Sequence, residues 1–269
     1  MMNDLGVVKV KILLILSLLF SMSCEAAGVP VLLYHQVSSE IQPSDTSISL
    51  GRFEEEMKYL HDNGYQTLSV MELVDIMDRQ VLPPEKAVVI TFDDGWYSVM
   101  HNALSVLSEY NMKATFFIIT GSLQDPYMTL DQLKTLSKNP NFDVQSHTVT
   151  NPSKPDNNLV MWSEETSKNN IVDALVELDD SKLMLEQNLN KKVNYLAWPA
   201  EYNQVLLDLA RVAGYKATFT LDDGVYQCSY CDKESNSSTA FHYHVAGCLP
   251  LEPESRAHLD AIIRPQLDQ

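Results

Sequence analysis

Seven short apolar runs, each followed by a helical pattern, constrain the fold of this chain more than any other feature. VPVLLYH (Val29 to His35), QTLSV (Gln66 to Val70), AVVITF (Ala87 to Phe92) and ATFFII (Ala114 to Ile119) read as strands, as do FDVQSH (Phe142 to His147), VNYLAWP (Val193 to Pro199) and YKATFTL (Tyr215 to Leu221). Helices are expected between them. Val99, Ala103, Val106, Leu107 and Tyr110 form one apolar stripe at helical spacing. Gly64 is placed to end the helix FEEEMKYLHDNG, and Pro83-Pro84 to end MELVDIMDRQ. Ser69 with Glu72, and Thr129 with Gln132, have capping-box spacing. A long charged helix is expected from Trp162 to Asn190. Strands alternating with helices imply a parallel sheet with crossover helices. AVVITF, apolar throughout, suits a strand covered on both faces. Closure of the sheet into a barrel is the natural arrangement at this length. Beyond Gly224 the periodicity fades.

With 269 residues, 45% of them hydrophobic, the chain can bury the core of one α/β domain, and no linker or internal repeat divides it. A net charge of −17 argues against nucleic acid as a partner, since phosphates require a basic surface. It keeps the protein soluble and would tolerate a cationic polymer. At the N-terminus Lys9 and Lys11 precede the apolar run Ile12 to Phe20 and then the small residues SMSCEAAG. That run is too short to span a bilayer and has the layout of a secretory signal. Cleavage after Ala26 would leave residues 27–269 as the mature domain. Alternatively Cys24 becomes the lipidated first residue of a lipoprotein, although Ser21-Met22-Ser23 lacks the leucine usual before such a cysteine. Either way the expectation is export, to the periplasm or beyond it, with membrane contact only through a lipid on Cys24. In an oxidising compartment two of Cys228, Cys231 and Cys248 can form a disulfide, or the three can join His242 and His244 in a zinc cluster.

In parallel α/β sheets functional groups collect at the C-terminal ends of strands. His35 ends the first strand, Asp93-Asp94-Gly95 the third, Ser146-His147-Thr148 the fifth and Trp198-Pro199 the sixth. Each has a plain structural explanation alone. Asp-Asp-Gly is a turn and cap sequence, a lone histidine is usually structural, and Asn151-Pro152 is an ordinary loop dipeptide. Gathered at one mouth, they are two carboxylates and imidazoles within reach of a common centre.

TFDDGW (Thr91 to Trp96) resembles the first motif of the polysaccharide deacetylases, the NodB-homology domain of carbohydrate esterase family four. SHTVTNP (Ser146 to Pro152) resembles their second motif, usually S-H-T-x-x-H-P, and LAWPAEYN (Leu196 to Asn203) their third. The third motif and the opening PVLLYHQV are similar to the exported poly-β-1,6-N-acetylglucosamine deacetylases. The resemblance covers about Val29 to Leu221 and implies a distorted (β/α)7 barrel, a single domain, removing N-acetyl groups with the help of a divalent metal, zinc first, with cobalt or nickel as alternatives. By motif, Asp93 would be the general base and Asp94 and His147 metal ligands, with Asn151 in the third ligand's place. His35, Trp198, Pro199 and Tyr202 would line the sugar-binding mouth. The sequence departs from the pattern in four ways. Asn151 replaces histidine; the family's arginine is absent before Trp198; WPAEYN is one residue short of W-P-Y-G-x-Y-N; and no C-terminal motif supplies the histidine that protonates the leaving amine. His242, His244 and His258 are candidates for that role by residue type alone. Three functions follow: an exported N-deacetylase of an N-acetylglucosamine polysaccharide of the envelope or biofilm matrix, a silent carbohydrate-binding relative serving polysaccharide export, or an O-acetyl esterase.

Overall fold

All seven expected strands form, and each pairs in parallel with a neighbour. They are β1 (Val29–Tyr34), β2 (Gln66–Leu68), β3 (Ala87–Phe92), β4 (Ala114–Ile118), β5 (Phe142–Ser146), β6 (Tyr195–Ala197) and β7 (Ala217–Asp223). The structure, a computed structural model, describes residues 29–40, 44, 46–79, 81–155, 157–164, 170–223, 225–226 and 244–250. The export segment with Cys24, and Cys228, Cys231, His242 and His258, lie outside the described residues, while His244 and Cys248 enter only through the backbone of one strand.

The parallel registers run β1–β3 (Leu32 opposite Ile90), β3–β4 (Phe92 opposite Phe116), β4–β5 (Ile118 opposite Ser146), β5–β6 (Ser146 opposite Leu196) and β6–β7 (Leu196 opposite Thr218). β2 pairs with the first half of β3, on the edge whose second half pairs with β4. Two strands lie in the stretch where periodicity failed: β8 (Val225–Tyr226) and β9 (His244–Pro250). β9 is antiparallel to both β7 and β1, so it joins the two ends of the curled parallel sheet. β8 is also antiparallel to β1, and these reversed strands distort the barrel.

Side-chain alternation along the strands builds two apolar cores. Ile90, Phe92, Phe116 and Leu196 face the surrounding helices, while Val31, Val89, Phe117 and Phe219 meet on the sheet's other side. Every residue of β3 is buried, as its uninterrupted apolar sequence requires. Phe92 stacks on Phe116 at 5.1 Å and on Tyr34 at 5.4 Å, so the ends of β1, β3 and β4 are locked where the site begins.

The helices follow their local signals. α1 (Leu50–Asp62) is followed by Gly64 at φ +71°, and α2 (Val70–Arg79) opens on the reciprocal bonds of Ser69 and Glu72. The stripe from Val99 begins as a π turn, Val99–Ala103, and continues as α3 (Leu104–Glu109). α4 (Leu130–Leu136) carries the Thr129/Gln132 capping box. The single helix expected from Trp162 to Asn190 is instead two, α5 (Leu159–Ser163) and α6 (Ile171–Leu189). The cause is a second start signal. Asn158 caps α5, and Asn170 caps α6 in a box with Asp173. α7 (Gln204–Val212) starts on Asn203.

Beneath the mouth, Glu56 of α1 accepts a hydrogen bond from the Tyr34 hydroxyl at 3.1 Å and one from Arg52 at 2.9 Å. Burial pushes its carboxyl up to about 7, and the Tyr34 and Arg52 bonds only partly oppose this. The folded state therefore binds a proton more tightly than the unfolded chain. The stability this contributes is complete below the ordinary carboxylate pKa and is lost as pH rises through about 7. Urea unfolding between about pH 5 and pH 8 should show a loss of stability in the wild type that Glu56→Gln removes. Parallel pH curves for the two proteins would refute this assignment.

Candidate active site

The strand registers bring the expected residues to one mouth. The Asp93 amide donates to the Tyr34 carbonyl at 2.9 Å, that of His147 to Ile118 at 2.9 Å, and that of Trp198 to Phe219 at 2.8 Å. Each strand end is thus hydrogen-bonded to its neighbour at the point where a polar side chain emerges. The turn after β3 is sharp, with Asp94 at φ +71° and Gly95 at +87°. A Cβ on Gly95 would lie 2.9 Å from Ile118 Cδ1, so this position requires glycine for space as well as conformation.

Asp94 is the centre of the cluster. Its Oδ1 lies 3.5 Å from His147 Nε2 and 3.2 Å from the Asn151 side-chain nitrogen, while Oδ2 accepts the Trp96 indole N–H at 2.9 Å. His147 Nδ1 lies 2.9 Å from the Ala197 carbonyl. A proton on Nδ1 satisfies that carbonyl, so the proton that Nε2 shares with Asp94 is the one whose loss would free a lone pair for a metal. Asp93 is 3% exposed, and its Oδ1 has no hydrogen-bond partner among the described residues.

The two carboxylates are driven apart electrostatically. Burial raises the Asp93 pKa above its ordinary value, against the opposing charges of His147 and His35. Burial acts upward on Asp94 too, but the hydrogen bond and charge of His147, with His35 and the Trp96 bond, outweigh it and hold Asp94 low. Asp94 is therefore suited to remain an anion and Asp93 to accept a proton. Burial would lower the His147 pKa, but the charges of Asp93 and Asp94 raise it overall.

The β5 loop is strained and heavily supported. Thr148 and Asn151 sit at φ +66° and +53°, unusual above all for a β-branched residue. The Thr148 carbonyl accepts the Thr120 amide at 3.1 Å, and its hydroxyl accepts the Asn151 amide at 3.2 Å. From α6, the buried Glu177 accepts the amides of Val149 and Thr150 at 2.8 and 2.9 Å and the Thr150 hydroxyl at 2.6 Å.

The residues present fit a divalent ion. Ligand bonds of about 2.0–2.2 Å in tetrahedral geometry put neighbouring donor atoms roughly 3.4 Å apart. The separations from Asp94 Oδ1 to His147 Nε2 and to the Asn151 amide are close to that. The buried Asn151 Oδ1 has no hydrogen-bond partner among the described residues, and a half-turn of the amide would exchange it with the nitrogen. No group of three His, Cys, Asp or Glu side chains suited to an ion occurs among the described residues, so Asn151 is the third donor available here.

The structure brings Asp94, His147 and Asn151 into contact beside Asp93, and His35 is near enough for its charge to act on both carboxylates. Trp198 is placed differently from an open sugar-binding ring. It is 1% exposed and stacks at 6.4 Å behind Tyr202, which with Pro199 is partly exposed. Trp96, Tyr127 and Glu177 were not singled out from the sequence, although Trp96 ends the TFDDGW motif.

Glu177→Gln should cost about 1–3 kcal/mol, because a buried amide group cannot replace both carboxylate oxygens as acceptors. Urea unfolding measures the loss, and hydrogen exchange at Val149 and Thr150 should accelerate with it. Unchanged exchange at those amides would remove Glu177 from its supporting role.

Comparison with known proteins agrees with this geometry. The sequence profile described as polysaccharide deacetylase matches residues 80–218. YxkH of Bacillus subtilis (strain 168), named for the same family, is 32% identical over 200 residues, covering 74% of this chain and 66% of that protein. The poly-beta-1,6-N-acetyl-D-glucosamine N-deacetylase of Staphylococcus aureus (strain MSSA476) is 27% identical over 195 residues, covering 69% and 65%. The chain thus spans just under two thirds of the length of these relatives. Among solved structures, the Streptococcus pyogenes deacetylase PplD, in complex with acetate, superposes with a TM-score of 0.65 at 27% identity, covering 75% of this chain and 87% of that one. IcaB from Ammonifex degensii shares the fold, with a TM-score of 0.64 at 24% identity, covering 74% and 86%. With a distorted barrel, two carboxylates and a histidine at its mouth, and a matching sequence along most of its length, the chain belongs to the polysaccharide deacetylase family.

Proposed function

We propose that this protein is an exported, metal-dependent deacetylase that removes N-acetyl groups from an N-acetylglucosamine-type polysaccharide of the envelope or biofilm matrix. The observation that carries the reading is the convergence of Asp94, His147 and Asn151 beside a buried, unpartnered Asp93 oxygen. Asp94, His147 and Asn151 would hold the ion, with zinc the first candidate and cobalt or nickel the alternatives. Such an ion, when bound, acidifies water and polarises an amide carbonyl. Asp93 takes the proton from the attacking water as its oxygen bonds to the acetyl carbon. The C–N bond then breaks, releasing acetate and an amine that must gain a proton. We assign that donation to His35, whose charge acts on both Asp93 and Asp94. Of the histidines whose side chains are described, His61 and His101 lie on helical segments, His147 is committed to Asp94, and only His35 shares the mouth. Tyr202 and Pro199 border the opening from the loop after β6.

One observation favours a silent, carbohydrate-binding relative. The Asn151 amide nitrogen donates to Asp94 Oδ1, the oxygen that an ion would need. The export assignment rests on the N-terminal sequence, and lipidation at Cys24 would add the only membrane contact.

Mature protein supplied with zinc, cobalt or nickel should release amines from an N-acetylglucosamine oligomer; no bound metal and no release would end the enzyme reading. Asn151→His should tighten metal binding by about tenfold or more, the effect of roughly 1.4 kcal/mol in ligand strength. His35→Gln should lower N-deacetylation by about 10²–10⁴-fold. It should affect O-acetyl ester hydrolysis much less, because an alkoxide leaves with less assistance. Release of acetate from O-acetylated sugar alone would identify an esterase.

A further inference from the structure

Trp96 and Tyr127 form an aromatic pair beside the proposed metal carboxylate, and neither takes part in the chemistry described above. Their ring centroids are 4.5 Å apart with planes inclined by 36°, and both side chains are partly exposed. The backbone fixes them together. Trp96 and Tyr127 form an isolated antiparallel bridge, flanked by bonds from the Tyr97 amide to the Pro126 carbonyl at 3.0 Å and from Met128 to Gly95 at 2.8 Å. Trp96 is tied to the reacting centre through its indole bond to Asp94 Oδ2, and Tyr127 lies within the field of Asp94. The other two tryptophans, Trp162 and Trp198, are 5% and 1% exposed, so Trp96 is the one with ring surface at the mouth.

We propose that Trp96 and Tyr127 form a pyranose subsite contiguous with the metal-binding carboxylate, and that the Trp96 indole N–H also orients Asp94. The inference rests on the carbohydrate reading above and deepens it. A pyranose ring presents an apolar C–H face with hydroxyls at its rim, which suits a rigid, partly exposed aromatic surface bordered by polar groups. The indole bond occupies Oδ2, so Oδ1 remains directed at His147 and Asn151. A sugar resting on the pair would therefore touch the residue that fixes the geometry of the ligand. Tyr202, on the loop after β6, offers a second aromatic surface on the same mouth.

The two roles separate by substitution. Tyr127→Ala should weaken binding of a β-1,6-linked N-acetylglucosamine pentamer by about tenfold while leaving zinc affinity unchanged, and Tyr127→Phe should restore most of the loss. Trp96→Phe keeps an aromatic ring but removes the indole donor. It should weaken zinc binding by roughly 10–100-fold, the usual scale for an outer-shell partner, with a smaller effect on the pentamer. Calorimetry in an Asp93→Asn background measures both affinities without turnover, and pentamer binding should shift the Trp96 fluorescence. Pentamer binding that Tyr127→Ala leaves unchanged would overturn the subsite alone. No pentamer binding by the parent protein would overturn the carbohydrate reading and the subsite together. Zinc affinity unaffected by Trp96→Phe would overturn the orienting role.

Discussion

The mouth of this barrel is organised around the two oxygens of Asp94, which are assigned different partners. Oδ2 is held by the Trp96 indole, and Oδ1 faces His147 and Asn151. A carboxylate free to rotate would present either oxygen to a ligand, losing the directional preference that a three-donor site needs. The histidine is fixed in the same manner. Its Nδ1 is matched to the Ala197 carbonyl, so Nε2 is turned toward the carboxylate. The first constraint is local to the turn after β3, and the second comes from β6, the strand beside β5. Turn geometry and strand register together set the direction of the site before any ligand binds.

That arrangement stores strain. Asp94, Thr148 and Asn151 all occupy the left-handed region, at a cost on the order of 1–3 kcal/mol each. The surrounding structure determines the conformation from several directions. Glu177 reaches in from α6 with three hydrogen bonds, and Thr120 binds the Thr148 carbonyl from the end of β4. Gly121 approaches the Val149 carbonyl so closely that a Cβ there would lie 2.6 Å from the oxygen. These residues contact no part of the proposed reaction. Their effect is to keep a loop with three polar residues from relaxing into a conformation that would separate Asn151 from Asp94.

The fold was legible where local signals and burial agreed. The seven parallel strands were apolar runs between helical patterns, and the capping residues Ser69 and Thr129 stand where their helices begin. Legibility failed where a partner distant in sequence decides the structure. β9 is a strand because β7 and β1 lie on either side of it, and HVAGCLP carries little periodicity of its own. The division between α5 and α6 was signalled by Thr166, Ser167, Asn169 and Asn170, weak helix formers that the reading of one long helix passed over. At the site, Asp93, Asp94, His147 and Asn151 were visible because they sit within compact strand-end motifs. Their supports were not. Glu177 lies 28 positions from Val149, inside an otherwise ordinary amphipathic helix, and Tyr127 meets Trp96 only through a loop bridge.

If the site holds an ion, Asn151 couples its binding to the internal order of the site. With its nitrogen toward Asp94, the amide satisfies the carboxylate by a hydrogen bond and leaves its own buried oxygen without a partner. With the amide turned by half a rotation, two oxygens and the His147 nitrogen would converge, an arrangement of acceptors that repel one another unless a cation lies between them. Histidine at this position would meet an ion by releasing a ring proton, with no side-chain amide to turn over. An ion entering this site must therefore displace an internal hydrogen bond, which lowers its apparent affinity below that of a site holding two imidazoles. The same displacement relieves the unpartnered oxygen, so part of the cost is recovered on binding. Whether the barrel works as a hydrolase thus depends on the balance at one amide, set within a frame that already directs every other group.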